Sequence, residues 1–319
     1  MKTTDKSNNG IVRRKGKILR RLLISFCCVL VISAATYFII KIFDSKLNNE
    51  TSVSRLYKEW EQYNYKEVYD RSAAILKNKP FNNVALTLHG YSAFFLALSE
   101  NDTAEFQNLL DESINNIRVA LQNAKSQTLP QLAYMLGKAY FYKNTAASYY
   151  YYADLAVLYL NRALKDGYKA DDIPEYLGLS YASLGMTMES ISAFTKALLT
   201  RESDMLLLSI AEQYYKAGQS AASEQYLYRI SQNCTDQKIT EKTHILLGTI
   251  YTENKKFTDA ENEFQTILQN NENSADAYYG LGIIYENQGD LVKARSQWRK
   301  VLRVQPNHAG ALKKIAEYK

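Results

Sequence analysis

Residues 241–274 and 275–308 carry the same residue types at a single offset of 34. Leu247-Gly248 falls on Leu281-Gly282, Tyr251 on Tyr285, Ala260 on Ala294, Phe264 on Trp298 and Ile267 on Val301. Within each half of the unit these sites stand three or four residues apart, which puts them on one stripe of a helix. A unit of two such helices cannot bury its apolar face alone, so its copies must stack. The small residues at Gly248, Gly282, Ala260 and Ala294 let helices approach closely, and Phe264 and Trp298 fill the space toward the following unit. Pro306 ends a helix, since it has no N–H to continue one. Only four prolines and thirteen glycines in 319 residues agree with an almost wholly helical chain. All of these are packing sites, and none reads as a catalytic residue.

Upstream the pattern persists while its spacing loosens. Residues 171–203 hold Leu177-Gly178, Tyr181, Gly185, Ser190, Phe194 and Ala197. Residues 204–240 hold Ile210-Ala211, Tyr214, Gly218, Ser223, Leu227 and Ile230, with a few extra residues before the next unit. Residues 130–170 hold Leu136-Gly137 and Tyr140, then Ala156, Leu160 and Ala163. About seven extra residues separate these halves, including the run Tyr149 to Tyr152, so both helices are expected to be a turn longer. Residues 83–127 read as two long helices that turn at Asn101-Asp102, and residues 49–82 keep Val68, Ser72, Ile75 and Pro80. Residues 309–319 begin another first helix, expected to cover the last apolar face.

The period of 34 and the order of residue types resemble the tetratricopeptide repeat, a helix–turn–helix unit. The resemblance is specific over residues 171–308 and looser upstream. It implies an all-α solenoid of about six to seven units in two layers of antiparallel helices. The first helices then line a concave groove that holds peptide or protein ligands. The expected organisation is a basic tail at 1–21, a membrane-spanning helix at 22–42, divergent repeats at 43–129, a solenoid at 130–308 and a capping helix at 309–319.

Residues 22–40 contain no charged side chain and at helical rise span about 29 Å, close to the thickness of a bilayer core. Residues 1–21 carry eight cations against Asp5, a net +7, so the rest of the chain holds −1 of the formal +6. The repeats therefore lack the positive excess that a phosphate backbone demands, and nucleic acid is not an expected partner. The same bias predicts a cytoplasmic N-terminus and repeats on the far side of the membrane. The rival reading, a signal peptide cleaved near Ser33-Ala34-Ala35, would leave Tyr37-Phe38-Ile39-Ile40 on a soluble product.

Nothing in the chain points to catalysis, and no cofactor is expected. His89, His244 and His308 fall in different units without metal-ligand spacing, so no metal site is expected. Cys27 and Cys28 are adjacent and apolar, Cys234 stands alone, and no disulfide framework follows. Three glycosylation sequons, at Asn49, Asn101 and Asn233, match what chance supplies. Lys293, Arg295, Arg299, Lys300 and Arg303 read as a solvated stripe, with an acidic partner or anionic envelope polymer as the competing reading.

Carried onto matching positions, the resemblance assigns partner binding to first-helix residues just off the packing stripe. These are Tyr134, Lys138, Phe141 and Tyr142, then Glu175 and Leu179, then Leu208, Glu212 and Tyr215, and finally Ile245, Thr249, Tyr279 and Ile283. A clamp for a C-terminal carboxylate, the family's best-known ligand mode, needs Lys, Asn and Arg at these sites, and this chain offers aromatics, aliphatics and carboxylates. Tyrosine supplies contact area with few rotors and a polar tip, which suits an apolar or amphipathic protein segment. Inter-repeat packing is the competing role for the same tyrosines. The function expected is that of a membrane-anchored, periplasmic scaffold that binds proteins and supports an envelope complex, by analogy with envelope biogenesis factors and the periplasmic collar of flagellar motors. An organelle-membrane receptor or co-chaperone with cytosolic repeats, and the recognition subunit of an envelope enzyme system, are the alternatives.

Overall fold

The computed structural model describes residues 29–42, 53–146 and 152–318. The described residues are helical throughout apart from turns, and they divide into two compact units, Met1–Ala124 and Lys125–Lys319. In the first unit, residues 29–42 form α1, followed by α2 (Val53–Glu61), α3 (Tyr65–Asn78), α4 (Asn83–Leu98) and α5 (Thr103–Gln122). The second unit comprises α6 (Leu129–Ala146), α7 (Ala153–Lys165), α8 (Ile173–Ser183), α9 (Thr187–Leu198) and α10 (Asp204–Lys216). It continues with α11 (Ser220–Asn233), α12 (Gln237–Glu253), α13 (Phe257–Asn270), α14 (Ala275–Asn287), α15 (Leu291–Val304) and α16 (Ala309–Glu317).

Part of the expected membrane span, residues 22–28, lies outside the described residues, as do the basic tail, the Cys27-Cys28 pair, Asn49 and Tyr149 to Tyr151. Every described side chain of α1 is exposed. Among the described residues no helix is long and apolar enough to cross a membrane.

Four of the five helical hairpins of the second unit close on the contact that the repeated residue types anticipate. A Cβ added at Gly178 would lie 2.4 Å from Phe194, one at Gly248 2.8 Å from Phe264, and one at Gly282 2.3 Å from Trp298. Gly137 stands against Leu160 in the same way, and in the first unit Gly90 stands against Ile117. The missing side chain on the first helix is thus filled by the large one on the second, and Phe194, Phe264 and Trp298 are at most 2% exposed. Ser190 and Ser223 take the second-helix site that Ala260 and Ala294 take downstream. Each hydroxyl donates at 2.8 Å to a carbonyl of its first helix, at Gly178 and Ala211.

Five of the hairpin turns share one backbone requirement. Gly185, Gly218 and Gly289 lie at φ +71°, +73° and +82°, and the matching turns in two other hairpins hold Lys255 at +60° and Tyr63 at +59°. Glycine occupies this left-handed region without the steric cost that a Cβ brings.

Two boundaries differ from expectation. The extra residues of the 130–170 unit lengthen α6 to 18 residues, while α7 keeps 13. The added length of the 204–240 unit goes into α12, which starts at Gln237 and runs 17 residues. α16 does pack as another first helix, with Ala311 buried against Trp298 and Val301.

The first unit is fastened by a polar cluster that no periodicity reveals. His89 on α4 is 3% exposed, and its ring stacks on Tyr69 with centroids 4.4 Å apart. Its Nε2 donates to Glu112 Oε1 at 2.8 Å, and its Nδ1 lies 2.8 Å from Ser72 Oγ. The Tyr69 hydroxyl donates to the other oxygen of Glu112 at 2.5 Å. The hydrogen bond from His89 holds the Glu112 carboxyl below its usual 4.5, against an opposing push from burial. A depressed carboxyl contributes stability that is present above pH 4.5 and lost as pH falls through the folded value. The urea midpoint followed by circular dichroism should therefore fall below that pH, and Glu112→Gln should flatten the response; an unchanged profile in the variant would remove Glu112 from the account.

The glycine contacts make a second prediction. Gly178→Ala forces a methyl into the Phe194 ring and should cost about 1–3 kcal/mol in denaturant unfolding, whereas Ala182→Gly nearby should cost about 1 kcal/mol through helix propensity alone.

Candidate partner-binding face

The first helices of the second unit are joined by hydrogen bonds between residues one repeat apart. Asp172, which precedes α8, accepts from the Tyr134 hydroxyl at 2.7 Å and from Lys138 Nζ at 2.9 Å, both on α6. The Lys138 ammonium also lies over the rings of Tyr134 and Tyr176, 5.1 and 4.8 Å from their centroids. The Tyr142 and Tyr176 hydroxyls meet at 3.1 Å, and Phe141 sets its ring edgewise to Tyr176 at 4.9 Å. Farther along, Tyr215 on α10 donates to Glu253 on α12 at 2.5 Å. Ser274 donates to Glu241 at 2.8 Å, and Lys314 pairs with Glu286 at 2.7 Å.

These contacts hold the tyrosines in their protonated form. Burial first, and then the hydrogen bond with Tyr176, pushes the Tyr142 hydroxyl up to about 12. Burial and the bond to Glu253 push Tyr215 up to about 12 as well. Tyr134 is raised by burial and by its bond to Asp172.

The thirteen assigned residues differ in exposure and in partners. Leu208 is 2% exposed and belongs to the core with Leu227 and Ile230, so it lines no open face. Tyr134 is 9% exposed and spends its hydroxyl on Asp172. Ile245 packs on the Phe264 cluster, while Tyr279 and Ile283 pack on the Trp298 cluster, where Tyr279 also covers His308. Glu175 is paired with Arg201 at 2.6 Å, and Thr249 donates to Ile245 O at 2.7 Å. Lys138, Phe141 and Tyr142 form one half-buried cluster with Tyr176 and Asp172. Leu179, Glu212 and Tyr215 remain half-buried on the central first helices. Asp172 and Tyr176 complete this cluster and were not among the assigned residues. Their signal in the sequence is an acid and a tyrosine one repeat beyond Lys138 and Tyr142.

The remaining polar side chains are largely committed. His308 caps α16 by accepting from Ala311 N–H. Of the basic stripe on α15, Lys293 pairs with Asp290 at 3.0 Å, and Lys300 lies over the Tyr278 ring. Cys234 is half-buried beside the Asp236 carbonyl.

A tetratricopeptide repeat family model matches residues 245–309. The last two units thus match that repeat. The fold of the rest is supported by likeness to solved tetratricopeptide structures. The C-terminal part of a repeat-containing protein from Cytophaga hutchinsonii aligns with a TM-score of 0.58 at 12% identity, over 82% of this chain and 99% of that one. A tetratricopeptide repeat protein from Parabacteroides merdae aligns with a TM-score of 0.50 at 17% identity, over 85% and 98%. At such identities the likeness carries the fold and nothing beyond it. A comparison with curated proteins finds no match.

Raised tyrosines predict how this helical stack responds to alkali. Their neutral form is favoured in the folded state, so their contribution is present below the ordinary value of 10 and is lost as pH rises through about 12. The urea midpoint should hold to about pH 10 and then fall. In a variant with Tyr142→Phe and Tyr215→Phe the fall should be smaller, and an equal fall would show that these two hydroxyls do not fasten the stack.

Proposed function

We propose that the chain is a membrane-anchored scaffold that binds protein partners through the first-helix face of its second unit. The observation that carries this reading is the cluster of Phe141, Tyr142, Tyr176 and Lys138. Its rings are held in fixed orientations by contacts within the protein and remain only half-buried. A partner meeting such a surface gains large aromatic contact area without having to order it, which is the main cost of recognition by flexible side chains. Leu179 and Glu212 extend the face with one aliphatic and one carboxylate side chain, so the ligand it suits is an amphipathic protein segment.

Anchoring is supported by the uncharged run at 22–40 and by α1, a helix whose described side chains are all exposed and whose apolar surface is left uncovered among the described residues. The net +7 of residues 1–21 favours a cytoplasmic tail with the repeats outside the cytoplasm, in a role that supports assembly of an envelope complex.

Two experiments test the two halves of the reading. Photo-crosslinkers placed at Phe141 and Leu179 in the native membrane should join the protein to a discrete partner, and Tyr142→Ala with Tyr176→Ala should reduce the yield at least tenfold while leaving helicity intact. Retained crosslinking in that variant would sink the groove. A protease added to intact cells with a permeabilised outer envelope should digest a C-terminal tag; digestion only from the cytosolic side would reverse the topology.

A further inference from the structure

The unit at 204–240 is 37 residues long where its two successors are 34, and the surplus builds a cleft. It lengthens α12 at its N-terminal end to 17 residues, against 13 for α14. Asp236 caps the added turn by accepting from the Lys238 and Ile239 N–H groups. Between this turn and the C-terminal end of α13 lies a cavity of about 420 Å³ whose wall includes Thr240, Glu241, His244, Asn270 and Asn271, with Ile267 as an aliphatic patch.

Two of these side chains are held in place by hydrogen bonds within the protein. His244 Nδ1 donates to Glu263 Oε2 at 2.6 Å, and the two side chains are 18% and 21% exposed. A carboxylate on Nδ1 keeps the proton there in the neutral ring and leaves the Nε2 lone pair as an acceptor. Among the described residues Nε2 has no hydrogen-bond partner. Glu241 is held by Ser274 Oγ at 2.8 Å and Asn271 Nδ2 at 3.4 Å, both on Oε1, which leaves Oε2 unused among the described residues. Glu241 and His244 are three residues apart on α12 and so share one face of it. Among the described residues no lysine or arginine lines the cavity; Lys238 and Lys242 of the same helix are exposed and outside it.

We propose that this cleft binds a cationic hydrogen-bond donor, a guanidinium or ammonium group on an aliphatic stem. The planar guanidinium has five N–H donors, enough to bridge the Glu241 carboxylate and the His244 lone pair while the amide oxygen of Asn270 takes another. Its stem lies on Ile267, as long cationic side chains do on apolar surface. An anion finds no lysine or arginine among the described residues of the wall. The group arrives either as an arginine or lysine side chain of a partner, in which case the inference rests on the protein-binding reading above, or as a free polyamine.

The test uses the full chain in detergent micelles with isotope-labelled isoleucine methyl groups, titrated with N-acetyl-arginine amide, spermidine, N-acetyl-glutamine amide and glucose. The Ile267 methyl resonance should move saturably with both cations, at millimolar dissociation constants expected of so few atoms. Glu241→Gln, which keeps shape, and His244→Phe should each weaken binding at least tenfold, while Lys242→Gln should not. A tighter arginine derivative points to a partner side chain and a tighter spermidine to a polyamine, and both support the cation site. Absence of saturation with either cation, equal binding by Glu241→Gln, or equal binding of the glutamine amide would overturn it. Since crosslinks from Phe141 and Leu179 do not depend on this cleft, either result can fail alone.

Discussion

The contact on which the second unit depends is a bare glycine on a first helix meeting a large side chain on the second. Gly178, Gly248 and Gly282 accept Phe194, Phe264 and Trp298 at distances where any Cβ would collide. Burial of such a ring is favourable by roughly 2–3 kcal/mol, and the close approach of the helix backbones comes with it. The same ring also meets the next unit: Gly280 on α14 stands against Phe264 of α13, so one side chain closes its own hairpin and seats the following one. Local and inter-repeat packing are therefore not separate decisions. A unit that loses its ring loses its neighbour's seat as well.

Polar groups complete what the rings begin. Tyr134, Lys138, Tyr142, Tyr215 and Lys314 each reach one repeat onward or back, to Asp172, Tyr176, Glu253 and Glu286. Tyrosine suits this role because its ring spans the distance between adjacent first helices while its hydroxyl is satisfied at the far end. Packing and recognition thus compete for the same side chains. Tyr134 has gone wholly to packing, and Tyr142 has given its hydroxyl while keeping part of its ring exposed. What remains for a partner is ring surface and the few side chains without a fixed bond.

The register of the fold was legible because packing contacts repeat. Leu-Gly, Tyr, Ala and the large ring recur at 34, and each glycine opposes the side chain that the offset implies. The fasteners were less legible, since hydrogen bonds follow three-dimensional neighbours and need not recur. Asp172 bonds two residues of the preceding repeat, yet no other repeat carries an acid at that site with the same partners. His89 was visible only as a histidine in a helix, because the Glu112 and Tyr69 that bind it come from two other helices. Leu208 was misplaced for a related reason. One residue along a helix turns a side chain by about 100°, and in the looser 204–240 unit the transferred register points it inward.

Irregular spacing has a physical consequence that regular spacing cannot have. Identical units stacked at one offset leave identical junctions, each sealed by the same ring and the same small residues, so a surplus of residues is what can open a cavity between two of them. In the 130–170 unit the surplus extends α6 past the length of its neighbours, and Lys143 lies on the extension with its ammonium over the Tyr152 ring. In the 204–240 unit it extends α12 and separates its first turn from α13, exposing Glu241 and His244 to a cleft. Both extensions lie on first helices, at opposite ends of them, and both present polar side chains. Stability constrains the repeated sites, so chemical individuality collects where the period breaks.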